Sequence, residues 1–254
     1  MTTVQGPESI SLVTPAATAT DVGDDITAGA GHWSFGHGVA GTFDNHIARS
    51  VPGYAWGHDL TIAMSKYFAK PGGIMYELGC STGTLSVRLA DEHGVLGVNV
   101  VGIDVEGEMV RHATALHAKS NLSFELGDIT SFPYDRCDFV ASHYTLQFLE
   151  PSERVATIEH VFQALRPGGA FMLFEKVLES SSVIQDIHTQ LHTDFKLERG
   201  FSPLQIVSKT RSLKSVLAPS SSAQNLERLR SAGFGTVGII HKSLQFEGYL
   251  AIKS

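Results

Sequence analysis

The stretch Ile74-Met75-Tyr76-Glu77-Leu78-Gly79-Cys80-Ser81-Thr82-Gly83-Thr84 decides the fold of this chain. Its first half, residues 74–78, is a short apolar run typical of a buried strand, and an amphipathic run follows the glycines. The pattern predicts a strand, a tight turn and a helix whose N-terminus offers unpaired N–H groups. Gly-x-Ser-x-Gly is also the pattern of a hydrolase elbow with Ser81 as nucleophile. We favour a nucleoside-binding turn because the strand ends in an acid, Glu77.

The next two predicted strands also end in acids. Asp104 follows the second strand, 25 residues after Gly79, where a carboxylate accepts hydrogen bonds from ribose hydroxyls. The third strand runs into Asp128 and Ile129, a carboxylate for the amino group of adenine and an apolar side chain for its ring. Three strand ends thus predict an adenosine pocket. The pattern resembles class I S-adenosylmethionine (SAM) methyltransferases, and the missing Gly-x-Gly-x-x-Gly fingerprint disfavours NAD.

Composition excludes several other classes of protein. The chain has 254 residues, 43% of them hydrophobic, which suits one α/β domain with additions. A formal net charge of -7 argues against a protein that binds nucleic acid through its phosphates. Cys80 and Cys137 are too few and too far apart for a disulfide framework. No apolar run approaches the ~18 residues of a membrane helix, and a basic signal-peptide start is missing, so we expect a cytoplasmic protein without membrane partners.

Strands and helices alternate after residue 74, which predicts a doubly wound, mostly parallel sheet of seven strands. Residues 1–30 are rich in Thr, Ala and Gly and are expected to form a flexible tail. The remainder, 31–254, is expected to be one domain. It would carry a helical lid over 31–70 and a helical insertion over about 180–232. Ligands of such sheets bind at the carboxyl ends of the strands.

Longer motifs carry a closer resemblance. The chain resembles the carboxy-S-adenosyl-L-methionine synthase branch of the class I methyltransferases over about residues 31–253. That family makes carboxy-SAM from SAM and prephenate for the modification of wobble uridine in tRNA, and its members are homodimers, so the resemblance implies a homodimer. The motifs are Trp33-Ser34-Phe35, Arg49-Ser50-Val51-Pro52-Gly53-Tyr54, Leu78-Gly79-Cys80-Ser81, Thr145-Leu146-Gln147-Phe148-Leu149-Glu150-Pro151-Ser152-Glu153-Arg154, Asp194-Phe195-Lys196 and Ala232-Gly233-Phe234.

The resemblance implies a set of SAM contacts, position by position. Tyr54 would contact the amino acid end of SAM, above a loop formed by Gly79, Cys80 and Ser81. The ribose and adenine contacts, and the residue nearest the methyl group, would be Asp104, Val105, Asp128, Ile129 and His143.

Two positions depart from the family. His143 stands where the family has asparagine, at the end of the fourth strand. The family arginine that pairs with the carboxylate of carboxy-SAM falls at Thr210 in an ungapped registration, with Arg211 one place later. One position on a helix is a turn of about 100°, which a bidentate guanidinium tolerates poorly, although a local slip would restore Arg211. Without the arginine the carboxylate lacks a counter-charge, so the chain is expected to keep the SAM pocket and change the chemistry.

Histidines are candidates for that chemistry. His143, His188 and His241 are new relative to the family, and His192 lies four residues after His188. One hypothesis is a transition-metal site, for Fe, Zn, Ni or Mn, built from these four histidines. The other is that His143 acts alone as a general base. A metal would bind a 2-oxo acid and ease the loss of a proton, so that the enolate attacks the methyl group of SAM.

Three functions follow as hypotheses. The primary one is a SAM-dependent methyltransferase that methylates carbon in a small 2-oxo acid. The alternative is a carboxy-SAM synthase that uses SAM and prephenate. A third, from another class, is a SAM-binding regulatory or structural partner without turnover.

Overall fold

A sheet of seven strands organises the chain, as the sequence predicts. The computed structural model describes residues 20–33, 35–36 and 38–254. The strands are β1 (Thr20–Gly23), β2 (Ile26–Ala28), β3 (Ile74–Leu78), β4 (Asn99–Asp104), β5 (Leu122–Leu126), β6 (Cys137–His143), β7 (Leu165–Leu178), β8 (Ser220–Ser221), β9 (Thr236–Ser243) and β10 (Phe246–Ile252). The order in the main sheet is β5-β4-β3-β6-β7-β10-β9, and the two-residue β8 pairs with the end of β7. Strands β3 to β7 are parallel, whereas β10 runs antiparallel to both its neighbours.

Helices cover both faces of this sheet. They are α1 (Phe43–Ser50), α2 (Tyr54–Ser65), α3 (Thr84–His93), α4 (Gly107–Leu116), α5 (Pro151–Ala164), α6 (Ser182–Glu198), α7 (Pro203–Ser212) and α8 (Ser222–Ser231). Helices α7 and α8 follow Ser202 and Ser221, each of which forms a capping box with the glutamine three residues on. No helix in the described part of the chain is long and apolar enough to span a bilayer.

The core lies on the two faces of the central strands. Phe139 on β6 and Phe171 on β7 are fully buried, on opposite sides of the sheet in separate hydrophobic clusters. Parallel strands covered by helices on both faces read as continuous apolar runs, and this is why the sequence revealed them. All parallel strands end at one edge, so the polar residues that follow them meet there.

The predicted tail over residues 1–30 is wrong for its last part. Strands β1 and β2 form an antiparallel hairpin that packs on α7. Val22 and Ile26 are buried in a small cluster with Trp33. The hairpin turn is held by Asp24, whose Oδ1 accepts from Arg49 at 2.6 Å. Residues 1–19 of the predicted tail lie outside the described residues.

Candidate active site

A cavity of about 720 Å³ lies at the carboxyl ends of β3, β4, β5 and β6. This size is usual for a site that holds a small molecule. Helices α1, α2, α6 and α7 contribute side chains to its wall. The wall includes every residue predicted to contact SAM: Tyr54, Gly79, Cys80, Ser81, Asp104, Val105, Asp128, Ile129 and His143.

The glycine turn is fixed by contacts across the strand ends. Gly79 has a φ of 71°, and a side chain there would collide with Thr145. The N–H groups of Gly79 and Cys80 both donate to the carbonyl oxygen of Ile103, at 2.8 and 2.9 Å. Burial raises the pKa of the Cys80 thiol, which therefore stays protonated. Ser81 follows with a φ of 48°, a left-handed conformation that turns the chain towards α3.

Asp104 is held in place by backbone groups. Its Oδ2 accepts from the N–H of Ser81 at 2.8 Å and its Oδ1 from the N–H of Glu106 at 2.9 Å. Burial raises the pKa of this carboxyl, and the two N–H donors oppose that rise. The contact with Ser81 joins the ends of β3 and β4 and holds the carboxylate in the cavity wall.

Asp128 and Ile129 form the far wall of the same cavity. Oδ1 of Asp128 accepts from both the N–H and the hydroxyl of Thr130, at 2.9 and 2.8 Å. This local turn fixes the carboxylate while the residue stays exposed. Ile129 is buried and presents an apolar surface beside it. The pair therefore presents a carboxylate beside an apolar side chain, and the adenine contact stays a prediction.

The opposite end of the cavity is lined by Tyr54 and Glu77. Gly53, with a φ of 77°, precedes α2 and lets Tyr54 begin that helix. Burial raises the pKa of Glu77 to about 8, and its Oε2 accepts from the Ser86 hydroxyl at 2.5 Å. Burial also keeps the pKa of Tyr54 well above its usual value. Both groups therefore stay neutral near pH 7 and act there as hydrogen-bonding groups.

His143 ends β6 beneath α2, and its tautomer follows from its neighbours. The hydroxyl of Thr61 donates to the carbonyl oxygen of Gly57 at 2.9 Å and lies 2.9 Å from His143 Nε2. Because a hydroxyl has one hydrogen, Nε2 must be the donor and Nδ1 keeps its lone pair. Among the described residues this buried Nδ1 has no hydrogen-bond partner. Burial, and then nearby His58, holds the pKa of His143 well below its usual value, so the ring is neutral.

The four histidines predicted as metal ligands do not form one site, and His192 shows why. Its Nε2 donates to the carbonyl oxygen of Ser50 at 2.8 Å, and its Nδ1 accepts from the Gln245 amide at 3.0 Å. Both ring nitrogens are therefore used to tie α6 to the end of α1 and to the β9–β10 turn. His192 lines the cavity as a structural link.

His188 and His241 have other neighbours than the proposed ligand set. His188 Nδ1 is 3.2 Å from Glu179 Oε1, and the His241 ring packs near Gly53. Neither ring is part of the cavity wall. Across residues 20–33, 35–36 and 38–254, no three His, Cys, Asp or Glu side chains are grouped so that they would hold a metal ion. The geometry does not support the predicted metal site.

Thr210 and Arg211, the two candidates for the position of the family arginine, lie in different surroundings. Thr210 lines the cavity, and its hydroxyl donates to the carbonyl oxygen of Ile206 at 2.8 Å. Arg211 is exposed and is not part of the wall. Helix α7 is regular here, so no slip brings Arg211 into the cavity.

Three lysines that the sequence reading did not single out line the same cavity. Lys176 lies near the end of β7, Lys196 on α6 and Lys209 on α7, and all three are half-buried. Burial lowers the pKa of each ammonium group. Burial, and then the charge of Lys176, lowers the pKa of Lys196 to about 8. Lys196 alone had a sequence signal, as part of the Asp194-Phe195-Lys196 motif. The convergence of the three lysines could not be predicted because it depends on contacts distant in sequence.

The fold and the site define a class I SAM-dependent methyltransferase. A family model described as a methyltransferase domain matches residues 75–169. A SAM-dependent methyltransferase from Methanosarcina mazei has the same fold, with a TM-score of 0.56 and 19% identity over 75% of this chain and 96% of that one. Human N-acetylserotonin methyltransferase, solved with SAM, gives a TM-score of 0.52 and 16% identity over 87% of this chain and 60% of that one.

Sequence relatives narrow the class to one family. Carboxy-S-adenosyl-L-methionine synthase of Wolinella succinogenes is 33% identical over 228 residues, which are 87% of this chain and 93% of the relative. The protein of the same name from Escherichia coli K12 is 34% identical over 230 residues, 88% of this chain and 92% of the relative. The chain belongs to the carboxy-S-adenosyl-L-methionine synthase family, as the motifs predicted.

Proposed function

We propose that the protein carboxylates the methyl group of SAM, with prephenate as the carboxyl donor. The observation that carries this proposal is the identity of 33–34% to carboxy-SAM synthases over nearly the whole chain. It favours the alternative hypothesis of the sequence analysis over methylation of a 2-oxo acid. SAM would lie across the glycine turn, with its ribose at Asp104 and its adenine at Asp128.

The product of this reaction carries a carboxylate that needs a positive partner. With Thr210 in place of the family arginine, the sequence alone offered no such partner. Lys176, Lys196 and Lys209 supply positive charge in the same cavity. Loss of the family arginine is therefore compatible with a carboxylated product, and it no longer argues for a changed reaction.

The chemistry needs a base as well as a carboxyl donor. Carboxylation replaces one C–H bond of the sulfonium methyl group by a C–C bond, and the released proton must be accepted. Prephenate gives up its ring carboxyl carbon, and its ring hydroxyl leaves as hydroxide when the ring becomes aromatic, which leaves phenylpyruvate. The proton removed from the methyl group ends on that hydroxide as water. We assign the base to His143, because its ring is neutral and Nδ1 keeps its lone pair.

Methylation of a 2-oxo acid is the second candidate function, and His143 is also the observation that favours it. The same Nδ1 could take the proton from the carbon beside a keto group, and the resulting enolate would attack the methyl group. This version uses His143 as the base and does not depend on a site built from the four histidines.

Product analysis tests the proposal. The purified protein is incubated with SAM and prephenate, and separately with a panel of other 2-oxo acids, before mass analysis. We expect SAM enlarged by a carboxyl group, formed only with prephenate, and less product from the Asp104→Ala variant when SAM is below saturation. A methylated 2-oxo acid would replace this proposal by the second candidate. No product with any acid would contradict both and leave SAM binding without turnover.

A further inference from the structure

We propose that Lys176, Lys196 and Lys209 form one subsite that binds the carboxylates of a dianionic second substrate beside SAM. The proposal rests on the proposed function in one respect, that the second substrate is an organic acid. In this proposal the three lysines select a dianionic substrate over a monoanionic one.

The three ammonium groups come from three separate elements. Lys176 is on β7, two residues after Phe174, so both side chains lie on the same face of that strand. The Phe174 ring stacks on His143 with centroids 4.3 Å apart, so Lys176 follows, on the same face of β7, the residue that contacts the proposed base. Lys196 and Lys209 reach the cavity from α6 and α7. Convergence from a strand and two helices distinguishes the subsite from a charged surface run.

No acidic partner neutralises these lysines. Within the described part of the chain, no carboxylate oxygen lies within 4 Å of any of the three ammonium nitrogens. Lys209 instead lies over the ring of Trp33, and Lys176 is 6.0 Å from the centre of the Phe246 ring. Aromatic faces compensate part of the lost hydration of a cation. Half-buried cations without a counter-ion are unfavourable, and a bound anion would relieve this.

Charge is segregated along the cavity wall. The acids that line it are Glu77, Asp104, Glu106 and Asp128, all on the strand ends or loops of the SAM side. The cations lie on the other side, on β7, α6 and α7, where a fourth lysine, Lys214, stands exposed at the rim. A substrate with two carboxylates therefore meets positive charge at one end and no carboxylate near it. Prephenate is such a molecule, and phenylpyruvate is its monoanionic counterpart.

Calorimetry with two probes tests the subsite without turnover. Protein saturated with S-adenosylhomocysteine is titrated with prephenate and with phenylpyruvate. The wild type should bind prephenate more tightly, by about tenfold or more, since a second charge-assisted contact is made. Lys196→Met and Lys209→Met should each weaken prephenate binding by about tenfold, so that the affinities for prephenate and phenylpyruvate become similar. The affinity for S-adenosylhomocysteine should stay within about twofold of the wild-type value.

Matched variants separate charge from structure. Lys70→Met removes one positive charge from an exposed position outside the cavity and should change neither affinity. Lys196→Arg keeps the charge and should keep the preference for prephenate. If a Met variant fails to fold, salt replaces it: added NaCl should weaken prephenate more than phenylpyruvate in the wild type.

Three results would overturn the subsite. They are equal affinity for the two acids in the wild type, an unchanged preference in both Met variants, and an equal response of the two acids to salt. The outcome is separable from the fate of the proposed function. Lysine-dependent prephenate binding without carboxy-SAM formation would sustain the subsite and refute the reaction. Carboxy-SAM formation, together with an unchanged preference for prephenate in the Met variants, would support the reaction and refute the subsite.

Discussion

Asp104 carries the most direct single-residue prediction about the cofactor. Both carboxylate oxygens are fixed by backbone N–H groups, so the side chain is preorganised for the ribose hydroxyls. Asp104→Ala should weaken SAM binding by about 1–3 kcal/mol, measured by calorimetry. The same change at exposed Asp128 should cost less. Unchanged SAM affinity in Asp104→Ala, in a variant that unfolds at the wild-type temperature, would contradict the position of the ribose.

His143→Asn tests the base and restores the family residue. The variant should bind SAM as the wild type does, because the adenosine contacts lie on other strands. It should lose turnover by about 10²–10⁴-fold, the usual contribution of a general base. A rate equal to that of the wild type would show that His143 is only a hydrogen-bonding residue at the end of β6.

The pH dependence of turnover follows from the same side chain. A histidine acts as a base only above its pKa, and burial holds the pKa of His143 well below 6.5. The rate at saturating substrate should therefore not fall as the pH is lowered through 6.5. On the alkaline side Lys196 loses its charge above its pKa of about 8, so the KM for prephenate should rise there. An acid limb centred near 6.5 would mean that His143 is hydrated and exposed.

At the scale of elements, the hairpin β1–β2 links the lid to the insertion. It packs on α7, which carries Lys209, and Asp24 contacts both Arg49 and His46 on α1. Asp24→Asn keeps a residue that tolerates the left-handed backbone and removes the ion pair with Arg49. It should lower unfolding stability by about 1–3 kcal/mol and speed hydrogen exchange over 20–28. Asp25→Asn, at an exposed neighbour with a similar φ of 60°, should do neither; equal effects would refute the link.

The features that the sequence predicted rest on local patterns, whereas the features that it missed rest on contacts between distant parts of the chain. Strands β3, β4 and β5 and their acids were readable because apolar runs, glycines and strand-end residues are local patterns. The hairpin was missed because its sequence is mostly polar and its partners lie elsewhere in the chain, on α1 and on α7, the latter more than 170 residues away. The metal site failed for the same reason: the partners of His192 are Ser50 and Gln245, which no helical spacing reveals.

The whole molecule has an apolar face that nothing in the described chain covers. Helix α6 has no buried residue, and Val183, Ile187 and Leu191 follow each other at a spacing of four along it. We propose that this face joins two copies in a homodimer, as the resemblance implies. Light scattering should give twice 27.4 kDa, and Ile187→Asp should give the monomer, whereas the control Val95→Asp should not. A mass of 27.4 kDa for the wild type at working concentration would contradict the dimer.

The fate of a labelled methyl group tests the central claim most directly, because it reports which atom of SAM reacts. SAM with a trideuterated sulfonium methyl group is incubated with the protein and prephenate, and both products are analysed by mass. Carboxylation predicts carboxy-SAM that keeps two of the three deuterium atoms, together with phenylpyruvate that carries none. A 2-oxo acid that has gained the intact trideuterated methyl group, with S-adenosylhomocysteine as the other product, would contradict the account.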